Sequence, residues 1–321
     1  MGKYILKRLV QTVAVILIVA IATFFLTSLV PGDPVLAVAG TDELEQEKYD
    51  AIYHELNLDK PVIERFFIWF WGVLHLDFGT SYVYHQGVWE LIGSRIGITM
   101  YLALLSLVIS FPIGVLFGII TAVKRGTKID AVITLLANIC ACLPQFWIGI
   151  CLMYVFGLKL GLLPAFGLKW ASQVGLGAHV KALIMPLTCL SLGGIAGITR
   201  QTRSSMLEVI RQDFVRTARS KGIREKIVIS KHVLRNGLIP VITMLGSRLA
   251  HLIGGSMFVE NVFTIPGMGM LIMKCVTSHD MPTIQAMVLI TATVSCVAYI
   301  ITDILYVVVD PRISLTSNTQ S

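Results

Sequence analysis

The sequence predicts an all-α polytopic membrane protein, and three observations carry that prediction. Of its 321 residues, 55% are hydrophobic and only 14% charged, with a mean hydropathy of +0.78. Average soluble domains carry about 25% charged residues. Charge is also missing from whole segments: Leu9–Val30 has none over 22 residues and Ala131–Leu158 none over 28. A helix needs about 20 apolar residues to cross the hydrocarbon core, so both segments are long enough to span it.

Long apolar runs give six spans, near 9–30, 97–123, 131–158, 182–199, 237–260 and 282–308. Lys3, Lys7 and Arg8 precede the first run, and Ala37-Val38-Ala39 resembles a signal-peptidase site. Secretory apolar regions are about 7–15 residues long, so this run of 22 reads as a retained first span. The segment 31–96 is the large loop between the first two spans, with eleven Asp and Glu against Lys48, Lys60, Arg65 and Arg95. Within it, EQEKYDAIYHELNL reads as a helix. RFFIWFWGVLHL has the aromatic composition of a helix lying at the membrane interface. The segment reads as an external cap, against the plainer alternative of a spacer. Residues 97–309 form a core of five spans, with a cytoplasmic loop at 200–236 and a tail at 310–321. Pro112, Pro144 and Pro186 fall inside spans, where neighbouring helices can re-satisfy freed carbonyls.

Six spans put both termini on one side, and basic residues say which. That side holds 17 of the 26 Lys and Arg, ten of them between Arg200 and Arg235; the other side holds eight, and Arg248 lies within a span. The termini and the loop at 200–236 are therefore expected in the cytoplasm.

The densest charge lies in DFVRTARSKGIREKIVISKHVLRNGLIP, Asp213–Pro240, with seven Lys and Arg against two acids. Topology or anionic-lipid attraction is one reading. Nucleic-acid binding is disfavoured, since Phe214 alone interleaves the charges, and a voltage sensor would need arginines at every third position of a span. Docking of a cytoplasmic partner fits the local pattern better. Met206, Ile210, Phe214 and Ala218 recur every fourth residue as one apolar helical face, with Arg211, Arg216 and Arg219 off it. Gly222 follows Lys221, where a helix end calls for positive φ. A second short helix is expected around Arg224–Arg235, ended by Asn236-Gly237, with Pro240 in the first turn of the next span.

The segment Ala218–Gly222, with the hydrophobics that follow and Pro240, resembles the coupling loop of ABC-type import permeases. This chain has Arg216-Thr217-Ala218 where the general pattern has Glu-Ala-Ala, and Pro240 comes 18 residues after Gly222. That longer spacing resembles the peptide/nickel branch. Six further segments in order fit the first permease subunit of that branch: LVPGDP (29–34), HLDFGTS (75–81), LPQFWIG (143–149), GLLPAFG (161–167), GGSMFVENVFTIPGMG (254–269) and DPRI (310–313).

The resemblance implies the type I importer permease fold in a bacterial cytoplasmic (inner) membrane. It implies four kinds of partner: an external binding protein, a homologous second permease, two ATPase subunits carrying ATP and Mg, and membrane lipid. It also implies that Phe214, Arg216, Thr217, Ala218, Arg219, Lys221 and Gly222 couple to an ATPase, whose closure moves the spans as rigid bodies. No cofactor is expected in this chain.

Charges inside spans default to functional roles. Arg248 lies eight residues past Pro240, about 12 Å along the fifth span, and His251 falls on the same helical face. Asp303 lies in the last span. Arg248 either lines the pathway and contacts a substrate carboxylate or pairs structurally, with Asp303 or with neighbouring helices. Glu260, at the outer end of the fifth span, is a candidate for the outer gate, a binding-protein contact or a plain interfacial cap. The six cysteines read as small buried hydrophobes. His54, His75, His85, His179 and His279 scatter over the outer side as surface residues, and no metal site is expected.

The sequence holds no Walker A, GxSxG or HExxH motif, so no catalytic residue is expected and ATP hydrolysis belongs to partners. Peptide import leads, with nickel or a nickel–metallophore complex as the alternative substrate. A self-sufficient secondary transporter is the rival class, and no internal repeat supports it.

Overall fold

The computed structural model describes residues 2–39 and 44–309, and among these the chain is helical, with one isolated bridge between Thr80 and Gly87 and no strand. The DPRI segment lies outside the described residues. Among the described residues four helices are long and apolar enough to cross a membrane, and a bent pair makes up to five. The chain divides into two compact units.

The first unit is Met1–Thr99 with Pro266–Cys296. Its helices begin with α1 (Gly2–Ser28), α2 (Pro34–Ala39), α3 (Gln46–Glu55) and α4 (Val62–Leu74), so the expected helices of the outer segment form. α4 lays Phe66 and Trp69 against Phe24 of α1, with ring centroids 5.4 Å apart in each pair. Its other face exposes Ile63, Phe67 and Trp71, the pattern of a helix at an apolar boundary. Val88, Leu91 and Ile92 open α5 (Val88–Val123) and pack in one core with Met268, Leu271, Ala286 and Met287.

In the second unit, Met100–Ile265 with Val297–Ser321, α5 continues to Val123. Next come α6 (Lys128–Cys142), α7 (Gln145–Leu152) running into a π turn at Met153–Lys159, the short α8 (Ala171–Val174) and α9 (Leu176–Ile210). Thr127 caps α6, its side chain accepting from the Asp130 amide, and Asp130 supplies acid to the first turn of the helix. The single span expected over 131–158 is instead two helices bent by 100°. Leu143 (φ −77°, ψ 132°) takes the extended conformation that a residue before proline prefers and ends α6, while the Pro144 carbonyl accepts from Trp147 and Ile148 to start α7. Pro112 and Pro186 remain inside α5 and α9.

α5 and α9 meet through GVLFG, Gly114–Gly118. A Cβ at Gly114 would stand 2.6 Å from Ile198 Cβ, and one at Gly118 would overlap Thr202. Thr199 Oγ1 donates to the Gly114 carbonyl at 3.3 Å, and Ser191 Oγ to that of Ser106 at 3.3 Å. Small residues permit such backbone approach between membrane helices, and hydroxyls reinforce it.

The chain then forms α10 (Asp213–Ser220), α11 (Glu225–Ile227), a π turn at Val228–Val233, α12 (Leu234–Gly237) and α13 (Ile239–Val262), with Pro240 in the first turn of α13 as expected. α13 coincides with the fifth expected span, and only part of its side chains are described. α14 (Met268–Thr277) and the first half of α15 (Met281–Val309) belong to the first unit. There Asp280, fully buried, caps α15 by accepting from the Thr283 amide and hydroxyl and also receives the Ser81 hydroxyl.

Candidate functional site

The projection between α9 and α13 is built by two turns and a glycine. α9 ends at Ile210, Arg211 caps it, and Gln212 (φ −76°, ψ 151°) restarts the chain as α10. This break resets the helical register. The apolar face expected through Met206, Ile210, Phe214 and Ala218 therefore does not continue. Val215 and Ala218 are the buried residues of α10, and Phe214 is 40% exposed. The loop expected to begin at residue 200 starts eleven residues later, because α9 runs on to Ile210.

α10 closes with both hydrogen bonds of a Schellman end. The Gly222 amide donates to the Arg219 carbonyl (2.9 Å) and the Ile223 amide to that of Ala218 (3.4 Å). Gly222 sits at φ +72°, where a residue without Cβ is favoured. Ile223 packs with Ala218, Val215, Val228 and Met206 in one cluster. A Cβ at Gly237 would stand 3.1 Å from the Met206 side chain, so the second limb approaches α9 closely at its end.

Of the residues expected to couple, Arg216, Thr217, Arg219 and Lys221 are exposed on α10 and its cap. Thr217 Oγ1 donates to the Asp213 carbonyl. Arg219 grips Glu225 through Nε (3.1 Å) and Nη2 (2.6 Å), bracing the two limbs across the corner. That hydrogen-bonded guanidinium holds the Glu225 carboxyl below its usual range and raises Arg219. Both side chains are substantially exposed, so the pair is worth little by itself.

Arg248, on α13, lies over a glycine-rich stretch of α9. Among the described residues both its terminal nitrogens reach the Gly193 carbonyl alone, at 3.5 Å, and its buried Nε meets no hydrogen-bond partner. A Cβ at Gly197 would overlap the guanidinium, and one at Gly194 would stand 2.8 Å from Ser110 Cβ. The glycines make the room this cation occupies. No acid pairs with Arg248 among the described residues, and the positive charge of Arg200 acts on it. The side chains of His251 and Asp303 lie outside the described residues, although both positions are helical.

Glu260 is fully buried near the end of α13. Its carbonyl accepts from Ile265 at 2.8 Å, the Thr264 amide donates to the Asn261 carbonyl, and Phe263 O accepts from Gly167. This is a second Schellman end, with Thr264 at φ 52° in the glycine position. His179 is buried, in contrast to the surface position expected. Its Nδ1 lies 2.7 Å from the Lys169 carbonyl and its Nε2 2.9 Å from the Tyr101 hydroxyl, and its ring stacks on Trp170. Three buried polar elements escaped the sequence reading: the Arg248 cradle, the Asp280 cap and the Asp130–Arg203 ion pair (2.9 Å). GxxxG at 114–118 and Thr-x-x-Asp at 127–130 were available signals for the α5–α9 contact and the α6 cap.

Long apolar helices and a two-limbed projection between α9 and α13 define a class, the membrane component of a transport system. The chain belongs to the family described as binding-protein-dependent transport system inner membrane component, the permeases of ABC importers; that model matches residues 114–315, and its companion for the N-terminal part matches 1–103. A putative peptide transport system permease of Brucella abortus is 38% identical over 98% of this chain and 99% of its own. The oligopeptide transport system permease AppB of Bacillus subtilis is 37% identical, with the same two coverages. Among solved structures, the inward-facing MetNI methionine ABC transporter matches with a TM-score of 0.58 at 16% identity, over 69% of this chain and 97% of that one. An amino acid ABC transporter crystallised with histidines matches at 0.52 and 14%, over 68% and 93%. These likenesses identify the type I importer permease fold, in a multi-pass inner-membrane protein.

Proposed function

We propose that this chain forms one half of the membrane pathway of an ATP-driven importer of di- or oligopeptides. The observation that carries the reading is end-to-end identity of 37–38% with chains named as peptide permeases. A homologous second permease supplies the other half, and an external binding protein delivers the peptide. Two ATPase subunits, which carry ATP and Mg, dock underneath the two permeases, one of them on this chain's α10–α12 projection. The excess of basic residues around that projection orients it, and both termini, toward the cytoplasm.

In this reading exposed Phe214 is the apolar anchor of the docked surface, with Arg216 and Lys221 around it. Arg248 meets the substrate: its guanidinium, which no carboxylate neutralises among the described residues, suits a peptide's C-terminal carboxylate, the bidentate partner that arginine geometry favours. His251 and Asp303 belong to the same lining, and Glu260 braces the outer gate.

The test is uptake of a labelled peptide and of labelled nickel, in parallel, by cells with and without this gene. Loss of peptide uptake is expected. Loss of nickel uptake alone would overturn the peptide reading and leave the importer architecture standing. Arg248→Gln is expected to raise the peptide KM roughly tenfold or more, the loss of a charged hydrogen bond, and a peptide amidated at its C-terminus should not feel the change.

A further inference from the structure

A cleft of about 740 Å³ opens between α6 and α9, and nothing above assigns it a role. Its α9 wall carries Arg200, Arg203, Ser204, Glu208 and Arg211, spaced at three to four residues so that they share one helical face. Thr134 and Asn138 line the α6 wall. One of the three arginines is committed: Arg203 binds Asp130 through Nε (3.0 Å) and Nη2 (2.9 Å). Asp130 in turn receives the Gly126 amide and the Thr134 hydroxyl. This network forms a rigid floor.

Above it, Arg200 and Arg211 make no hydrogen bond or ion pair among the described residues, and neither do the Ser204 hydroxyl and the Asn138 amide. Glu208 is the one carboxylate that lines the cleft. Two uncommitted guanidiniums with neutral donors between them are the donor set of a phosphate, which arginine grips in bidentate fashion.

Hydrocarbon lies beside these donors. Leu135 and Ile139 of α6, one turn apart, are 60% and 45% exposed and form a stripe beside Asn138, about 60–100° round the helix from it. Asn138 stands ten residues past Lys128, about 15 Å along α6. Lys124, Arg125 and Lys128 mark the helix entrance. The occupant therefore needs an anionic head and an apolar tail in one molecule. Basic pockets between membrane helices on the cytoplasmic side suit anionic lipid headgroups.

We infer that the α6–α9 cleft binds the phosphodiester of an anionic phospholipid of the inner leaflet, held between Arg200 and Arg211 with its acyl chain along Leu135 and Ile139. The site rests on the cytoplasmic orientation proposed above. Because α9 passes from the cleft directly into the Arg211–Gln212 turn, the bound headgroup sits at the joint between membrane helix and projection.

The test uses the complete transporter, reconstituted in mixed phosphatidylglycerol and phosphatidylcholine and released for native mass spectrometry. Phosphatidylglycerol is expected to remain bound to the wild-type complex. Arg200→Gln with Arg211→Gln should lower its retention roughly thirtyfold, the loss of two arginines near the surface. Ser204→Trp, which crowds the space between the two arginines and keeps both charges, should lower it as well, so the outcome does not hang on one variant folding. Equal retention by both assembled variants would overturn the site. So would displacement of the lipid by millimolar inorganic phosphate, which would assign the cleft to a soluble anion, or high-yield cross-linking of Asn138→Cys to another subunit. Labelling of Ser204→Cys by an impermeant thiol reagent in inside-out but not right-side-out vesicles reads the orientation separately.

Discussion

The corner after α10 and the corner after α13 close with the same pair of hydrogen bonds and with different residues. At the corner after α10 Gly222 takes φ +72°; at the corner after α13 Thr264 takes φ 52°. A β-branched residue is a poor occupant of that region and costs on the order of 1–3 kcal/mol there. The surroundings explain why it is borne. Phe263 and Ile265 flank Thr264 at 2% and 1% exposure, and the Phe263 carbonyl is tied to Gly167. Gly222 has no neighbour within 4 Å of where a Cβ would stand, and it is exposed between exposed Lys221 and half-buried Ile223. Packing enforces the corner after α13, whereas the projecting corner after α10 depends on the conformational freedom of glycine.

Five substitutions break or sharpen this contrast. Ile265→Ala should have the largest effect on stability, about 2–5 kcal/mol for a buried aliphatic truncation, seen as a large drop in the thermal midpoint of the purified subunit. Gly222→Val should cost about 1–3 kcal/mol at the corner and, through the docking role proposed for it, leave ATP hydrolysis running in proteoliposomes while peptide uptake collapses. Normal uptake by this variant would remove the corner from the coupling path, and Gly222→Asn should recover most of the loss because asparagine tolerates positive φ. Thr264→Gly relieves strain but loosens the unfolded chain, so its stability should change by less than about 1 kcal/mol. Glu225→Gln, which weakens the exposed brace to Arg219, should change stability by under about 0.5 kcal/mol.

How much of this was legible in the sequence depends on which physical rule a residue obeys. Gly222 and Pro240 follow local rules, helix ending and helix starting, and both stand where local reasoning put them. The outer helices at 46–55 and 62–74 were equally local. Phe214 was misread because periodicity assumes an unbroken helix, and two residues of turn at Arg211–Gln212 shift the register. Pro144 was misread because proline inside an apolar run is compatible with two outcomes, and the conformation of Leu143 decides between them. The ion pair of Asp130 with Arg203 joins residues 73 apart, and no periodicity reaches that far. The burial of His179 depends on Tyr101 and Trp170 arriving from other segments.

The seam at Gly114 and Gly118 has a mechanical consequence. α9 is a single rod of 35 residues, about 52 Å long at 1.5 Å per residue. Backbone-to-side-chain contact at Ile198 and Thr202 keys it against α5, like a shaft seated in a bearing, about two-thirds of the way along. Below that bearing roughly a dozen Å of rod remain before the Arg211–Gln212 joint. A short arm on one side and a long arm on the other make a lever, so a tilt of about 5° that moves the tip at Ile210 by roughly 1 Å sweeps the far tip through roughly 3 Å.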